Sequence, residues 1–244
     1  MAGHSKWANI KHRKERQDKK KGQMWSKCSK AIMAAARQGG PDPDTNLSLR
    51  YAIDEAKYAN MPKDTIQRAI DKGAGAGQGD NFESVTYEAY GPSGSAILVD
   101  ALTDNNTRTA GDIRLIFKKV GLSLANSGSV AFMFRTRGRI LIEAPKATEE
   151  ALMEVALEAG AEDVEGPDTD EGYWAVYTEP AEFIAVREAI EAAGIEIAEA
   201  EVTKIADTTV TLQGEDAEKL SGLIDTLEDN DDVQKVYTNA DMDL

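Results

Sequence analysis

Apolar residues near the start of the chain recur at helical spacing. Met24, Cys28, Ala31, Ile32 and Ala35 fall at i, i+4, i+7, i+8 and i+11, one face of an α-helix. Gln38-Gly39-Gly40-Pro41 stops it, because glycine caps a helix and proline cannot continue one. Asp42-Pro43-Asp44-Thr45-Asn46 then reads as a turn and cap. Leu49, Ala52, Ile53 and Ala56 repeat at i, i+3, i+4 and i+7, a second helix that Asn60-Met61-Pro62 breaks. Pro62 suits the first turn of a third helix, with Asp64 near its positive end. Ile66, Ala69 and Ile70 form its apolar face, and Lys72-Gly73 its end. Residues 1–75 are therefore expected to hold a polar arm, residues 1–22, and a three-helix domain.

The glycine run from Gly73 to Gly79 fails the G-x-G-x-x-G register and follows a helix, whereas the dinucleotide fingerprint follows a strand. It reads as a flexible linker. From Phe82 the period becomes two. Val85, Tyr87 and Ala89 alternate, Gly91-Pro92-Ser93-Gly94 turns, and Ala96-Ile97-Leu98-Val99 returns, a β-hairpin. Thr103 to Thr107 supply helix caps for a face of Ile113, Ile116, Phe117 and Val120. Val130 to Phe134 reads as another strand. Strand 139–143, helix 148–159, strands 161–165 and 173–178, helix 181–193 and strand 196–205 then follow in the ferredoxin-like order βαββαβ. Strand 207–213, helix 215–228 and strand 233–237 close the chain. This last unit and residues 82–134 are each too small for a covered sheet, so they are expected to share one.

The expected fold class is α+β: a three-helix domain followed by two α/β sandwich-like domains, the third ferredoxin-like and inserted into the second. The expected domains are residues 1–75, residues 76–138 with 206–244, and residues 139–205.

Composition narrows the chemistry. The chain has 244 residues, 41% of them apolar but only 6% aromatic, so its cores must be mainly aliphatic. The one cysteine, Cys28, excludes an intramolecular disulfide and a cysteine zinc cluster, and its place on an apolar helix face reads as core. The two histidines, His4 and His12, both lie in the first dozen residues. No apolar run approaches the ~20 residues of a membrane span, and Gly3-His4-Ser5-Lys6-Trp7 opens without the apolar core of a secretory signal. A reducing cytoplasm is the expected compartment.

Charge is sorted along the chain. The net charge is −15, yet residues 1–75 carry +8, residues 76–139 carry +1 and residues 140–244 carry −24. The first 37 residues hold 11 basic and 2 acidic side chains. Such clustering is costly in self-repulsion and points to a polyanionic partner for the basic end.

No catalytic constellation stands out. Glu149, Glu150, Glu154 and Glu158 follow helical spacing on a solvated face. Asp229-Asn230-Asp231-Asp232 lacks the glycine and terminal glutamate of a calcium loop, and Asp42-x-Asp44-x-Asn46 has Leu47 and Ile53 in those places. There is no nucleophile elbow and no Walker lysine. The chain is read as a non-enzyme without metal or cofactor, and no small-molecule substrate or membrane partner is inferred.

The candidate nucleic-acid-binding residues are Lys6, Trp7, Lys11, His12, Arg13, Lys14, Arg16, Lys19, Lys20, Lys21 and Lys27, with a second set of Arg108, Arg114, Lys118 and Lys119. Lysines and arginines neutralise phosphates and release counterions, while Trp7 can stack on an unpaired base or staple the arm to the helical domain. If the helix carrying Arg114 packs beside strand 130–134, Arg135, Arg137 and Arg139 extend that surface. Helices two and three also have helix-turn-helix spacing, but Asp64 and Asp71 among the exposed positions make a mediocre major-groove reader. The acidic domain has two readings: a contact for a basic protein, or a fold-back partner that competes with nucleic acid for the arm.

Four stretches resemble a known family. Ala2-Gly3-His4-Ser5-Lys6-Trp7-Ala8-Asn9-Ile10-Lys11-His12-Arg13-Lys14 is similar to the signature start of the YebC/PmpR family. Ala59 to Asp64 with Ile66 and Arg68-Ala69-Ile70, Tyr87 to Pro92, and Thr103 to Thr109 match as well, so the resemblance spans essentially the whole chain. It implies a cytoplasmic, non-enzymatic regulator of gene expression. Bacterial members are labelled probable transcriptional regulators that bind DNA. A mitochondrial relative activates translation of cytochrome c oxidase, and bacterial members are also tied to the ribosome. Ribosomal RNA and DNA both stay open as partners, with ribosomal proteins beside them; the poor groove reader tips the residue-level reading towards structured RNA.

Overall fold

The computed structural model describes residues 21–75, 82–167 and 172–243. Its architecture is α+β: a three-helix domain, then two α/β sandwich-like domains, the third ferredoxin-like and inserted into the second. The chain divides into two compact units, one running to Phe134 and resuming at Ala206, the other formed by Arg135–Ile205.

Helices α1 (Lys21–Gly39), α2 (Leu47–Tyr58) and α3 (Lys63–Ala74) enclose Cys28, Ile32, Leu49, Ile53, Ile66 and Ile70. Asn46 connects the first two. Its buried amide donates to the carbonyls of Ala35 and Gly40, each at 2.8 Å, and its Oδ1 caps α2 by accepting from Leu49 N at 3.1 Å. Gly73, expected to end α3, lies inside it. A Cβ there would collide with the Met33 carbonyl, so glycine lets α3 close on α1.

In the second domain β1 (Glu83–Tyr90) and β2 (Ala96–Thr103) form the expected hairpin, and β2 pairs on its other side with β8 (Val233–Thr238). Helices α4 (Asn106–Lys119) and α7 (Gly214–Glu228) cover one face of this sheet, where Ile97 and Val99 meet Ile113, Phe117, Leu220 and Leu223.

Two expectations fail here. Strand β7 (Val210–Gln213) does not join this sheet but pairs in parallel with β9 (Ala240–Asp243), a strand the pattern did not announce. Buried Asn239 is the reason. Its Oδ1 accepts from Ala96 N at 2.7 Å while its carbonyl accepts from Val210 N at 2.9 Å, so the chain changes partner at that residue. Leu212 and Met242 still close the same core. Second, Val130 to Phe134 is not a strand. Ala131–Met133 form a 3₁₀ turn, and one long strand, β3 (Phe134–Glu143), runs across the expected start at residue 139.

The ferredoxin-like unit continues from β3 through α5 (Glu149–Glu158), β4 (Asp163–Glu165), β5 (Tyr173–Thr178), α6 (Phe183–Ala192) and β6 (Glu199–Ala206). The strand order is β4-β5-β3-β6, and β3 and β4 are both antiparallel to β5. Ile140, Ile142, Leu152, Val176, Phe183 and Ile190 are fully buried.

Candidate nucleic-acid interface

The arm residues Lys6, Trp7, Lys11, His12, Arg13, Lys14, Arg16, Lys19 and Lys20 lie outside the described residues, as does most of the glycine linker; Lys21 opens α1. The remaining candidates separate into two groups.

Lys27 and Arg108 spend their charge within the chain, on the docking of the helical domain against the α/β sheet. Lys27 Nζ donates to the Glu228 carbonyl at 2.6 Å, and Gln23 Nε2 donates to the Asp229 carbonyl at 2.8 Å. Arg108 Nη2 lies 2.8 Å from Asp104 and 2.7 Å from Asp232. Asp232 is the hub. It also accepts from Lys30 Nζ at 3.0 Å and from the Thr109 hydroxyl at 2.7 Å. Burial works against its charge, but the hydrogen bonds from Arg108, Thr109 and Lys30 outweigh it and hold the carboxyl at about 2, below its ordinary 3.8. Thr103 joins Thr109 at 2.7 Å and takes the Asn105 N–H, while Asn105 Oδ1 caps α4. The Thr103 to Thr109 motif thus caps the helix, as read, and also fastens it to a carboxylate far along the chain. Beside it a cleft of about 360 Å³ is lined by four aspartates against Lys30 and Arg108, a setting unsuited to a phosphate.

Arg114, Lys118 and Lys119 have the opposite character. All three are exposed on α4, and none forms an ion pair among the described residues. Leu115, 54% exposed, lies between them. Gly111, one turn earlier, is exposed too, and a Cβ there would meet nothing within 4 Å. This is a cationic helix face in a chain of charge −15. It does not merge with the later arginines. Side chains alternate along β2, so Ile97 and Val99 face α4, whereas Ala96 and Leu98 face Val130 and Phe134 on the other side. Arg137 pairs with Glu162 at 3.6 Å, and Arg139 with Glu199 at 3.0 Å and Glu201 at 2.6 Å.

The alternative reader, α3, uses its polar groups on itself. Arg68 donates to the Asp64 carbonyl at 3.1 Å and to Thr65 Oγ1 at 3.1 Å, and Gln67 donates to Asp71 at 2.9 Å. The helix packs mainly on α1 and little on α2.

One feature escaped the sequence. Glu88 in β1 is buried, and its carboxylate accepts from the backbone N–H groups of Gly128, Val130 and Ala131 at 2.6, 2.7 and 2.9 Å. Burial alone would raise its pKa; these backbone donors prevail and lower it. The only hint was an acidic residue at an inward position of an alternating strand.

Comparison with known proteins agrees along the chain. The family model described as the TACO1/YebC protein N-terminal domain matches residues 5–76, and that described as the TACO1/YebC second and third domain matches residues 82–240. A probable transcriptional regulatory protein of Caldanaerobacter subterraneus subsp. tengcongensis is 53% identical over 244 residues, covering 100% of this chain and 99% of the relative. The transcriptional regulatory protein PmpR of Pseudomonas aeruginosa is 55% identical over 242 residues, covering 99% and 96%. The crystal structure of a conserved hypothetical protein from Aquifex aeolicus superposes with a TM-score of 0.80 at 42% identity, covering 91% of each chain. From its first helix to its last strand, the chain belongs to the TACO1/YebC family.

Proposed function

We propose that the chain is a non-enzymatic, cytoplasmic regulator of gene expression that grips structured RNA on the ribosome. The basic arm and the exposed face of α4 would supply the phosphate contacts. The observation that carries this reading is the sorting of charge: the cations Arg114, Lys118 and Lys119 stand free of ion pairs among the described residues, in a chain whose last 105 residues carry −24. Phosphate contact by exposed lysine and arginine needs no base-reading helix. No helix among the described residues is long and apolar enough to cross a membrane.

A DNA-binding transcriptional regulator is the second reading. It is favoured by the names of the relatives from Caldanaerobacter and Pseudomonas. Against it stand Arg68 and Gln67, whose hydrogen bonds are already spent within α3.

Fluorescence anisotropy on the full chain separates the two. A folded RNA hairpin should bind more tightly than duplex DNA of equal length, with affinity falling steeply between 50 and 200 mM salt. Lys19, Lys20 and Lys21→Ala together, and Arg114, Lys118 and Lys119→Ala together, should each weaken binding and flatten the salt slope by about 2–3. Equal or tighter binding to DNA, or a salt-independent affinity, overturns the RNA reading.

A further inference from the structure

Phe132 is 76% exposed, more than any other large apolar side chain described, and it sits where the chain is tightly held. Its neighbours turn inward: Val130 is fully buried, and Ala131, Met133 and Phe134 pack around Leu98 and Ala96. The segment before it is fixed at several points. Glu88 binds three of its N–H groups, Ala125 N donates to the Glu88 carbonyl at 2.7 Å, and Tyr90 Oη donates to the Ser129 carbonyl at 2.9 Å. Met133 N closes the 3₁₀ turn on the Val130 carbonyl at 3.0 Å. A buried carboxylate thus helps to hold a loop whose outermost side chain is one phenyl ring in water. Nothing inside the chain uses that ring.

We propose that Phe132 is a stacking platform for an unpaired nucleobase. The proposal rests on the nucleic-acid reading above and adds a site to it. Two observations select the occupant. The first is size. A phenylalanine side chain offers about 150–250 Å², and a ring exposed alone falls far short of the ~800 Å² each partner contributes to a standard protein interface; it matches the footprint of one base. The second is charge. Residues 113–142 hold six basic side chains and no acidic one, in a chain with 43 acidic residues against 28 basic. The ring therefore stands in the stretch of the folded chain least repellent to a polyanion. Because the loop is already fixed, stacking costs little ordering of the protein.

The test is anisotropy titration of the full chain, wild type and variants, with a labelled RNA hairpin carrying an unpaired loop and with a blunt duplex of equal length. Phe132→Ala should weaken hairpin binding by roughly 5- to 150-fold, the range that base–aromatic stacking of ~1–3 kcal/mol implies, and leave duplex binding and the salt slope unchanged. Phe132→Trp should preserve hairpin binding, and Phe132→Leu should lose it. Wild-type hairpin affinity in Phe132→Ala overturns the proposal. Full retention by Phe132→Leu does so too, because it marks a non-aromatic contact. If wild type binds neither RNA, the nucleic-acid reading fails and this site falls with it; if wild type binds both and Phe132→Ala is silent, the site alone falls.

Discussion

Asp232→Asn isolates the node that joins the helical domain to the α/β sheet. The carboxylate faces Lys30, Arg108 and Thr109 at 3.0, 2.7 and 2.7 Å. Its pKa falls from 3.8 to about 2 on folding, and each unit is worth ~1.36 kcal/mol, so linkage sets an upper bound near 2.5 kcal/mol. The Arg108 side chain is 48% exposed, and solvent screening lowers that figure. A loss of about 1–2.5 kcal/mol at pH 7 is expected, a fall in Tm of roughly 2–10 °C for a chain of this size. The sign follows from the direction of the shift. A group whose pKa is depressed on folding stabilises above its unfolded value, and that contribution disappears as pH falls through the folded value. Paired urea denaturation of wild type and Asp232→Asn should therefore show a constant gap from pH 7 to about 5. The gap should narrow between pH 4 and 2. No gap at pH 7, or one that persists or widens down to pH 2, refutes the reasoning.

Other tests reach separate parts of the molecule. Glu88→Gln should cost about 2–3 kcal/mol, because an amide cannot accept from three backbone donors. Hydrogen exchange at Gly128, Val130 and Ala131 should quicken, and unchanged exchange there would exclude the clamp. Gly111→Ala should raise stability by about 0.5–1 kcal/mol, since α4 gains helix propensity and the new methyl meets nothing within 4 Å; a lower Tm contradicts this. Burial and then the Glu55 carboxylate push the Cys28 thiol from 9.0 to about 12. Its alkylation at pH 8 should run about a thousandfold slower than that of a free thiol until the domain unfolds, and fast labelling of the native chain would refute the shift.

The pattern of apolar residues reached most of the fold because most of it is periodic. The spacing of Leu49, Ala52, Ile53 and Ala56 and the alternation along the hairpin are direct imprints of faces that meet one core. It misplaced what depends on a single polar residue with a distant partner. Asn239 diverts the last strand from β2 to β7, and Glu88 converts an apolar run at Val130 to Phe134 into a turn. Neither leaves a period. The same distinction separates the candidate site residues. Composition marks Arg108 and Arg114 as equals, six positions apart on one helix. Only the fold brings Asp232 to Arg108 and leaves Arg114 in solvent. Phe132 was read as a strand residue because its neighbours are apolar, and its exposure follows from a backbone clamp that sequence spacing does not encode.

The most direct test of the central claim is sedimentation of a cell lysate through a density gradient at low and high salt, with and without a DNA-specific nuclease. The protein should travel with ribosomes at low salt, stay with them after DNA is digested, and return to the top of the gradient at high salt. If it remains at the top in low salt, or its fast-sedimenting fraction vanishes with the DNA, the ribosomal account is contradicted.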